Sequence, residues 1–301
     1  MLKNLRLFLK GMAMGAADVV PGVSGGTIAF ITGIYEELIG SISAIDKESF
    51  SLLFKGQIGK LWAKINGNFL LVLFAGIFTS IFSLASVFTY LLEYYEIFTW
   101  SFFFGLVSAS VWMVGKTIEK WNALGIVAFL IGSVVAYFIT EMNAVNGIDA
   151  PWYLVLSGAL AVCAMILPGI SGSFILLLLG AYSTVLEAVA NRDITTIALV
   201  GIGAISGLLL FSKGLKFIFE RYYNTTIALL SGFLLGSLNK LWPWKEPLET
   251  FIKHEGTPKE EVVTLSVQNL PPESDWLMAL LFALIGSFTV LGIEYAGRKL
   301  K

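Results

Sequence analysis

Two short segments carry residue types that bind anions when a helix begins behind them. Pro21-Gly22-Val23-Ser24-Gly25, continued by Gly26 and Thr27, recurs 147 positions later as Pro168-Gly169-Ile170-Ser171-Gly172, continued by Ser173. Proline stops a helix, glycine lets the backbone approach closely, and serine caps the helix that follows. A half-helix starting there aims its first N–H groups and the positive end of its dipole at the space before it, which suits a phosphate or a small anion. The candidate binding residues are therefore Pro21, Gly22, Ser24, Gly25, Gly26 and Thr27 in the first copy, and Pro168, Gly169, Ser171, Gly172 and Ser173 in the second. Asp18 stands just before the first break, with Met165 in the equivalent place of the second. A carboxylate inside a membrane is a candidate carrier of a coupling proton or Na+; a cap, or a partner for Lys10, is the structural alternative. Glu36, after the first half-helix, and Arg192, after the second, are secondary candidates: Glu36 for an interfacial carboxylate and Arg192 for a lipid-phosphate contact.

Other chemistry is scarce. Cys163 and His254 are the single cysteine and histidine, so no disulfide framework, Cys/His metal cluster or histidine pair is available and no cofactor is implied. A prenyl-phosphate-processing enzyme would need histidine nucleophiles and acids or a paired-aspartate metal motif, whereas the one histidine lies in a charged loop and no such motif is present. Twenty basic against 21 acidic residues leave none of the cationic excess of a nucleic-acid surface. Lys3 and Arg6 precede an apolar run like that of a signal peptide, but Lys10 interrupts it and the small residues Gly15 to Ala17 adjoin the first anion motif. The segment is expected to stay in the mature protein.

The elements that position these motifs are membrane helices. Hydrophobic residues make up 56% of the 301 and charged ones 14%, against roughly 45–50% and about 25% in soluble domains. A span needs roughly 20 apolar residues; Phe69–Leu92, Ile97–Gly115, Asn122–Thr140, Ile194–Ser212, Tyr222–Asn239 and Trp276–Ile293 each fit one pass. The uncharged stretch between Asp149 and Glu187 is too long for one helix and holds Pro168-Gly169 near its centre, so it should break there.

The repeat continues beyond the motifs. Ile28, Gly33 and Tyr35 match Ile175, Gly180 and Tyr182 at the same offset; Gly76, Glu93, Tyr95, Gly105 and Ser110 match Gly203, Glu220, Tyr222, Gly232 and Ser237 at 127; and Ile131-Gly132-Ser133 matches Ile285-Gly286-Ser287 at 154. The expected fold is an all-α polytopic integral membrane protein of two repeats, residues 1–145 and 146–301, each with one broken-helix unit and three transmembrane helices. An odd number of crossings per half makes the repeats inverted, as in secondary transporters with a midplane site. With both termini cytoplasmic, 15 of the 20 Lys and Arg fall in inside segments, residues 1–10, 40–66, 115–121, 212–224 and 294–301, as the positive-inside rule requires. Trp62 and Trp121 then lie at inner ends, and Trp100, Trp152, Trp242, Trp244 and Trp276 at outer ends. Residues 46–65 place Phe50, Leu53, Phe54, Ile58, Leu61, Trp62 and Ile65 on one face opposite four lysines, the pattern of an amphipathic helix on the inner leaflet. Residues 240–275 form the long external loop.

The stretch from Gly15 to Ala29, with Asp18, Pro21-Gly22-Val23-Ser24-Gly25-Gly26-Thr27 and then Gly33-Ile34-Tyr35-Glu36, closely resembles the signature of a bacterial family of undecaprenyl-phosphate translocases of the PopT type. Leu167-Pro168-Gly169-Ile170-Ser171-Gly172-Ser173 is similar to that family's second copy. The resemblance implies a flippase that returns undecaprenyl phosphate, the lipid carrier of cell-wall synthesis, across the cytoplasmic membrane. The residues by themselves leave a channel or carrier for a small inorganic anion as the alternative.

Overall fold

The computed structural model describes residues 2–19, 24–145, 148, 150–253, 261–272 and 275–299. The chain is mostly helical. A first unit runs α1 (Leu2–Val19), α2 (Gly25–Ile31) and α3 (Tyr35–Ser43), followed by two short helices, α4 (Lys47–Phe54) and α5 (Ile58–Lys64), and three long ones, α6 (Gly67–Tyr94), α7 (Glu96–Gly115) and α8 (Ala123–Glu141). A second unit runs α9 (Pro151–Ile166), α10 (Gly172–Leu178) and α11 (Tyr182–Asn191), followed by α12 (Ile194–Arg221), α13 (Tyr223–Ser237), a hairpin of β1 (Lys245–Lys253) and β2 (Glu261–Asn269), and α14 (Trp276–Lys299). Starts follow local chemistry: Asn122 accepts from the Gly125 N–H at 2.8 Å, Asp193 accepts from Thr195 at 3.0 Å, and Pro151 opens α9.

Helices α6, α7, α8 and α12 are long and apolar enough to cross a membrane, while α10 and α11 form a pair bent by 109°. The chain is a multi-pass membrane protein. Its helices meet through glycines whose missing side chain lets backbones touch. Gly11 lies on the Leu73 carbonyl and Gly15 on that of Ile77, so α1 and α6 run parallel. Gly203 on Val155 and Gly207 on Ala159 do the same for α9 and α12, and Gly232 on Phe129 and Gly236 on Ser133 for α13 and α8. Helices α7 and α14 are also parallel: Phe98 stacks on Phe282 with centroids 5.2 Å apart, and Gly286 meets Leu106 further along. Parallel α1 and α6, and parallel α9 and α12, mean that residues between each pair return the chain to the face where it started. Each broken unit thus begins and ends at the same face.

Contacts recur at the offsets of the sequence repeat. Gly76 lies on the Phe8 carbonyl as Gly203 lies on that of Val155, and Gly11 on Leu73 as Gly158 on Val200. Gly105 lies on the Ala283 carbonyl as Gly232 lies on that of Phe129, and Gly286 on Phe102 as Gly132 on Leu229. Thr99 donates to the Leu91 and Tyr95 carbonyls at 3.2 and 2.9 Å; Thr226 donates to those of Ile218 and Tyr222 at 3.3 and 2.9 Å.

The two units are docked differently. Helix α3 packs along α12, whereas among the described residues α11 makes no comparable packing along α6. Ile42 on α3 is 7% exposed and its equivalent Val189 on α11 is 59% exposed.

Two expectations need correction. Residues 46–65 are not one amphipathic helix: Gly56, at φ +66°, ends α4 and redirects the chain into α5. Phe54 and Ile58 nevertheless stay exposed. The fold is not helical throughout: within the loop 240–275 two strands form a hairpin. Its second strand, with three valines in nine residues, pairs antiparallel with the first, from Lys245 opposite Asn269 to Lys253 opposite Glu261.

Candidate functional site

Between α9 and α10 the Pro168-Gly169 break gives the chain its turn: Gly169 sits at φ +88°, a conformation that a side chain would strain. Pro21 and Gly22, the corresponding residues of the first unit, lie outside the described residues, as does His254.

The two breaks meet. The Thr27 hydroxyl accepts the Gly169 N–H at 2.9 Å, and the Ser24 hydroxyl donates to the Met165 carbonyl at 3.0 Å. Gly26 lies on the Ile166 carbonyl, and that same oxygen accepts the Tyr35 hydroxyl at 3.0 Å. Ser24, Thr27 and Tyr35 are buried, so these cross-unit bonds form where water offers no substitute. The last turn of α9 would otherwise leave its carbonyls orphaned at the break; the first unit satisfies them. Tyr35 was missed as a site residue in the sequence, where it read only as part of a repeated Gly-x-Tyr.

The helix starts at the two breaks are occupied differently. At α2 the Asp18 carboxylate accepts the Gly25 N–H at 2.7 Å and the Ser24 hydroxyl accepts that of Gly26 at 3.1 Å. The first half-helix is therefore capped by a charge of the chain's own. At α10 no side chain caps the helix; Ser171 and Ser173 share a hydrogen bond at 2.8 Å, Ser171 being buried and Ser173 exposed. Both hydroxyls stand beside uncapped N–H groups, an arrangement able to receive an anion.

Lys10 donates to the Thr32 carbonyl at 2.6 Å, fastening the end of α2 to α1. Glu36 accepts the Tyr223 hydroxyl at 3.1 Å at the face where α13 begins. Arg192, exposed and at φ +56°, ends α11. Neither Glu36 nor Arg192 joins the meeting point of the breaks. Asp46 and Lys64 form an ion pair at 2.8 Å between α4 and α5; the Lys64 hydrogen bond holds the Asp46 carboxyl down at about 2.

At the hairpin face, two lysines that the sequence shows only as isolated charges come together. The Lys245 ammonium donates to the Lys240 carbonyl and lies 3.9 Å from the Trp100 ring centroid, while the Lys240 ammonium lies 4.5 Å from that of Phe174 on α10. Burial, and then the charge of Lys240, pushes Lys245 down to about 7; burial lowers Lys240 also. Beside them a groove of about 410 Å³ lies between α7 and α14, walled by Phe104, Trp242, Trp244 and Trp276.

Comparison with known proteins places this geometry. A family model described as VCA0040-like, undecaprenyl phosphate translocase-like, matches residues 14–259. The chain is 43% identical to a protein of Vibrio cholerae serotype O1 named polyprenyl-phosphate transporter, over 99% of this chain and 98% of that one. It is 34% identical to a Staphylococcus aureus protein of the same name, over 78% of this chain and 85% of that one. No solved structure matches the chain. The named relatives are transporters and not enzymes, and identity that runs nearly end to end takes in both breaks and every long helix: the chain belongs to the undecaprenyl phosphate translocase-like family.

Proposed function

We propose that this protein carries polyprenyl phosphate, undecaprenyl phosphate in particular, across the bacterial cytoplasmic membrane by alternating access between two inverted halves. The observation that carries the reading is the direct bonding of one break to the other, Thr27 to Gly169 and Ser24 to Met165, in a chain whose relatives bear the name polyprenyl-phosphate transporter. Contacts that recur at the repeat offsets support equivalent halves. The concentration of 15 of the 20 basic residues on the face of the N-terminus supports cytoplasmic termini.

The phosphate is held at the half-helix starts, by the hydroxyls and N–H groups of Ser171 to Ser173 in one half and of Ser24 to Thr27 in the other. In the present arrangement Asp18 fills the first of these, so the second is the one that receives lipid. A phosphate and the Asp18 carboxylate compete for the same Gly25 N–H, and neutralising Asp18 with a proton or Na+ releases that start. The docked α3 and undocked α11 support an opening towards the hairpin face; docking α11 and releasing α3 would open the other. The groove between α7 and α14, flanked by Trp276 and Leu280, each about half exposed, favours a lipid over a small inorganic anion.

Purified protein in liposomes is expected to accelerate the flipping of labelled undecaprenyl phosphate, and Ser24→Ala combined with Ser171→Ala to slow it. No acceleration by the wild type, or full activity in the double variant, would overturn the reading.

A further inference from the structure

The reading above leaves the lysine pair and its groove without a task. Lys240 and Lys245 are both half-buried, and among the described residues neither forms an ion pair. The carboxylates with an electrostatic effect on them make no ion pair with them and are hydrogen-bonded to neutral groups: Glu96 accepts the Trp100 indole N–H at 3.2 Å, and Glu141 accepts the Asn239 amide at 2.6 Å. Ammonium groups drawn partly out of water without an ion-pair partner are costly. Next to them the buried Trp244 has an indole N–H with no acceptor, an unusual state for a buried donor. The Lys245 ammonium keeps donor capacity beyond its bond to the Lys240 carbonyl, and among the described residues the Lys240 ammonium and the Trp244 indole N–H have no hydrogen-bond acceptor.

The groove adjoins them through Trp244, which lines it and directly precedes Lys245. Lys245 covers Trp100, and Phe104, one turn further along α7, meets Trp242 edge-on at 5.7 Å; Trp242 in turn lies 5.5 Å from Trp244. About 410 Å³ is the scale of a small-ligand pocket, with apolar aromatic walls and an open side along Trp276 and Leu280. An anionic head with an apolar tail matches both parts at once; a free anion leaves the groove empty, and a neutral lipid leaves the ammonium groups unpaired.

We infer that Lys240, Lys245 and the α7–α14 groove form a receiving site for a lipid phosphate monoester, with the head group between the two ammonium groups and the first isoprene units against Phe104, Trp242, Trp244 and Trp276. The inference rests on the transport reading for the identity of the lipid. A phosphate monoester fits better than an ordinary phospholipid because it reaches a double negative charge near neutrality, which matches the lysine pair when both are protonated. Lys240 also touches Phe174, two residues beyond the Gly172 start of α10, so a head group held here is already beside Ser171 and Ser173.

The test is equilibrium binding of radiolabelled geranylgeranyl phosphate to the full chain in phosphatidylcholine nanodiscs. The wild type is expected to bind it at least tenfold more tightly than geranylgeraniol or inorganic phosphate. Lys240→Gln with Lys245→Gln should weaken binding roughly tenfold or more, the factor that follows from a lost charge-assisted hydrogen bond, while Lys245→Arg should retain most of it. Trp276→Ala should weaken the phosphate lipid and the alcohol alike. Unchanged binding in the double glutamine variant, or equal displacement by phosphatidylglycerol, would overturn the inference. If that variant does not fold, the wild type alone decides: binding that ignores ionic strength contradicts a site built on two ammonium groups. Flipping assays on the same preparations separate the two readings, because a wild type that binds at the lysines without flipping lipid refutes transport and leaves the site standing.

Discussion

Asp18 and Gly25 sit on opposite sides of the first break, and the carboxylate of one holds the backbone N–H of the other at 2.7 Å. An aspartate seven residues upstream thus does the work of a bound anion. Asp18→Ala removes the cap and should cost about 1 kcal/mol of stability. Asp18→Asn keeps an acceptor but no charge. Flipping by the asparagine variant is expected to lose its response to an imposed proton or Na+ gradient while the wild type keeps it; a response equal to that of the wild type would remove Asp18 from coupling.

Gly105 meets the Ala283 carbonyl with no room for a methyl group, whereas Gly201 on α12 has nothing within 4 Å of where a Cβ would stand. Gly105→Ala should lower stability by about 1–3 kcal/mol through forced separation of α7 and α14. Gly201→Ala should leave it unchanged or raise it by roughly 0.5–1 kcal/mol. Thermal unfolding in detergent distinguishes the two, and equal shifts would contradict the close approach.

The receiving site should depend on pH in a definite sense. Lys245 titrates at about 7 under the opposing influences of burial with Lys240 on one side and Glu96 on the other. Because this value is lowered, the ammonium is present below pH 7 and is lost as pH rises through it. The monoester gains its second charge near about 6. Affinity for geranylgeranyl phosphate is expected to rise to a maximum between these values and to fall above 7, whereas Lys245→Arg should hold its affinity to pH 9. A wild-type profile that keeps rising above pH 7 would contradict the assignment.

Orientation is open to labelling. In a Cys163→Ser background, Leu248→Cys on the hairpin should react with an impermeant maleimide in intact cells, and Phe54→Cys on α4 should react only after the membrane is opened. Both side chains are exposed, so access and not burial decides the result. The reverse pattern would place the termini outside.

Much of this arrangement is legible in the chain itself, for physical reasons that differ from place to place. Pro168-Gly169 marks its break because no continuous helix tolerates the pair, and Gly105 and Gly232 mark helix contacts because only small residues permit them. The Gly56 break is harder to see, since the apolar face of residues 46–65 continues in register across it. The hairpin is masked by its charged residues, and its order comes from pairing with a partner strand. Lys240 and Lys245 gain their meaning only from Trp100 and Phe174, which lie far away in sequence. A similar distance hides the bond from Tyr35 to the Ile166 carbonyl.

The hairpin and its lysine pair are inserted between α13 and α14, while the equivalent connection from α7 to α8 is the short segment 116–122. On the proposed reading of two equivalent halves, this addition would make their two mouths unlike. A tighter grip at one mouth lowers the lipid concentration at which the cycle saturates from that side, and it slows departure on that side in proportion. Detailed balance forbids such a grip from moving lipid uphill by itself. On the proposed reading, capture of scarce carrier would fall to the hairpin, and any driving force would have to come from elsewhere in the chain.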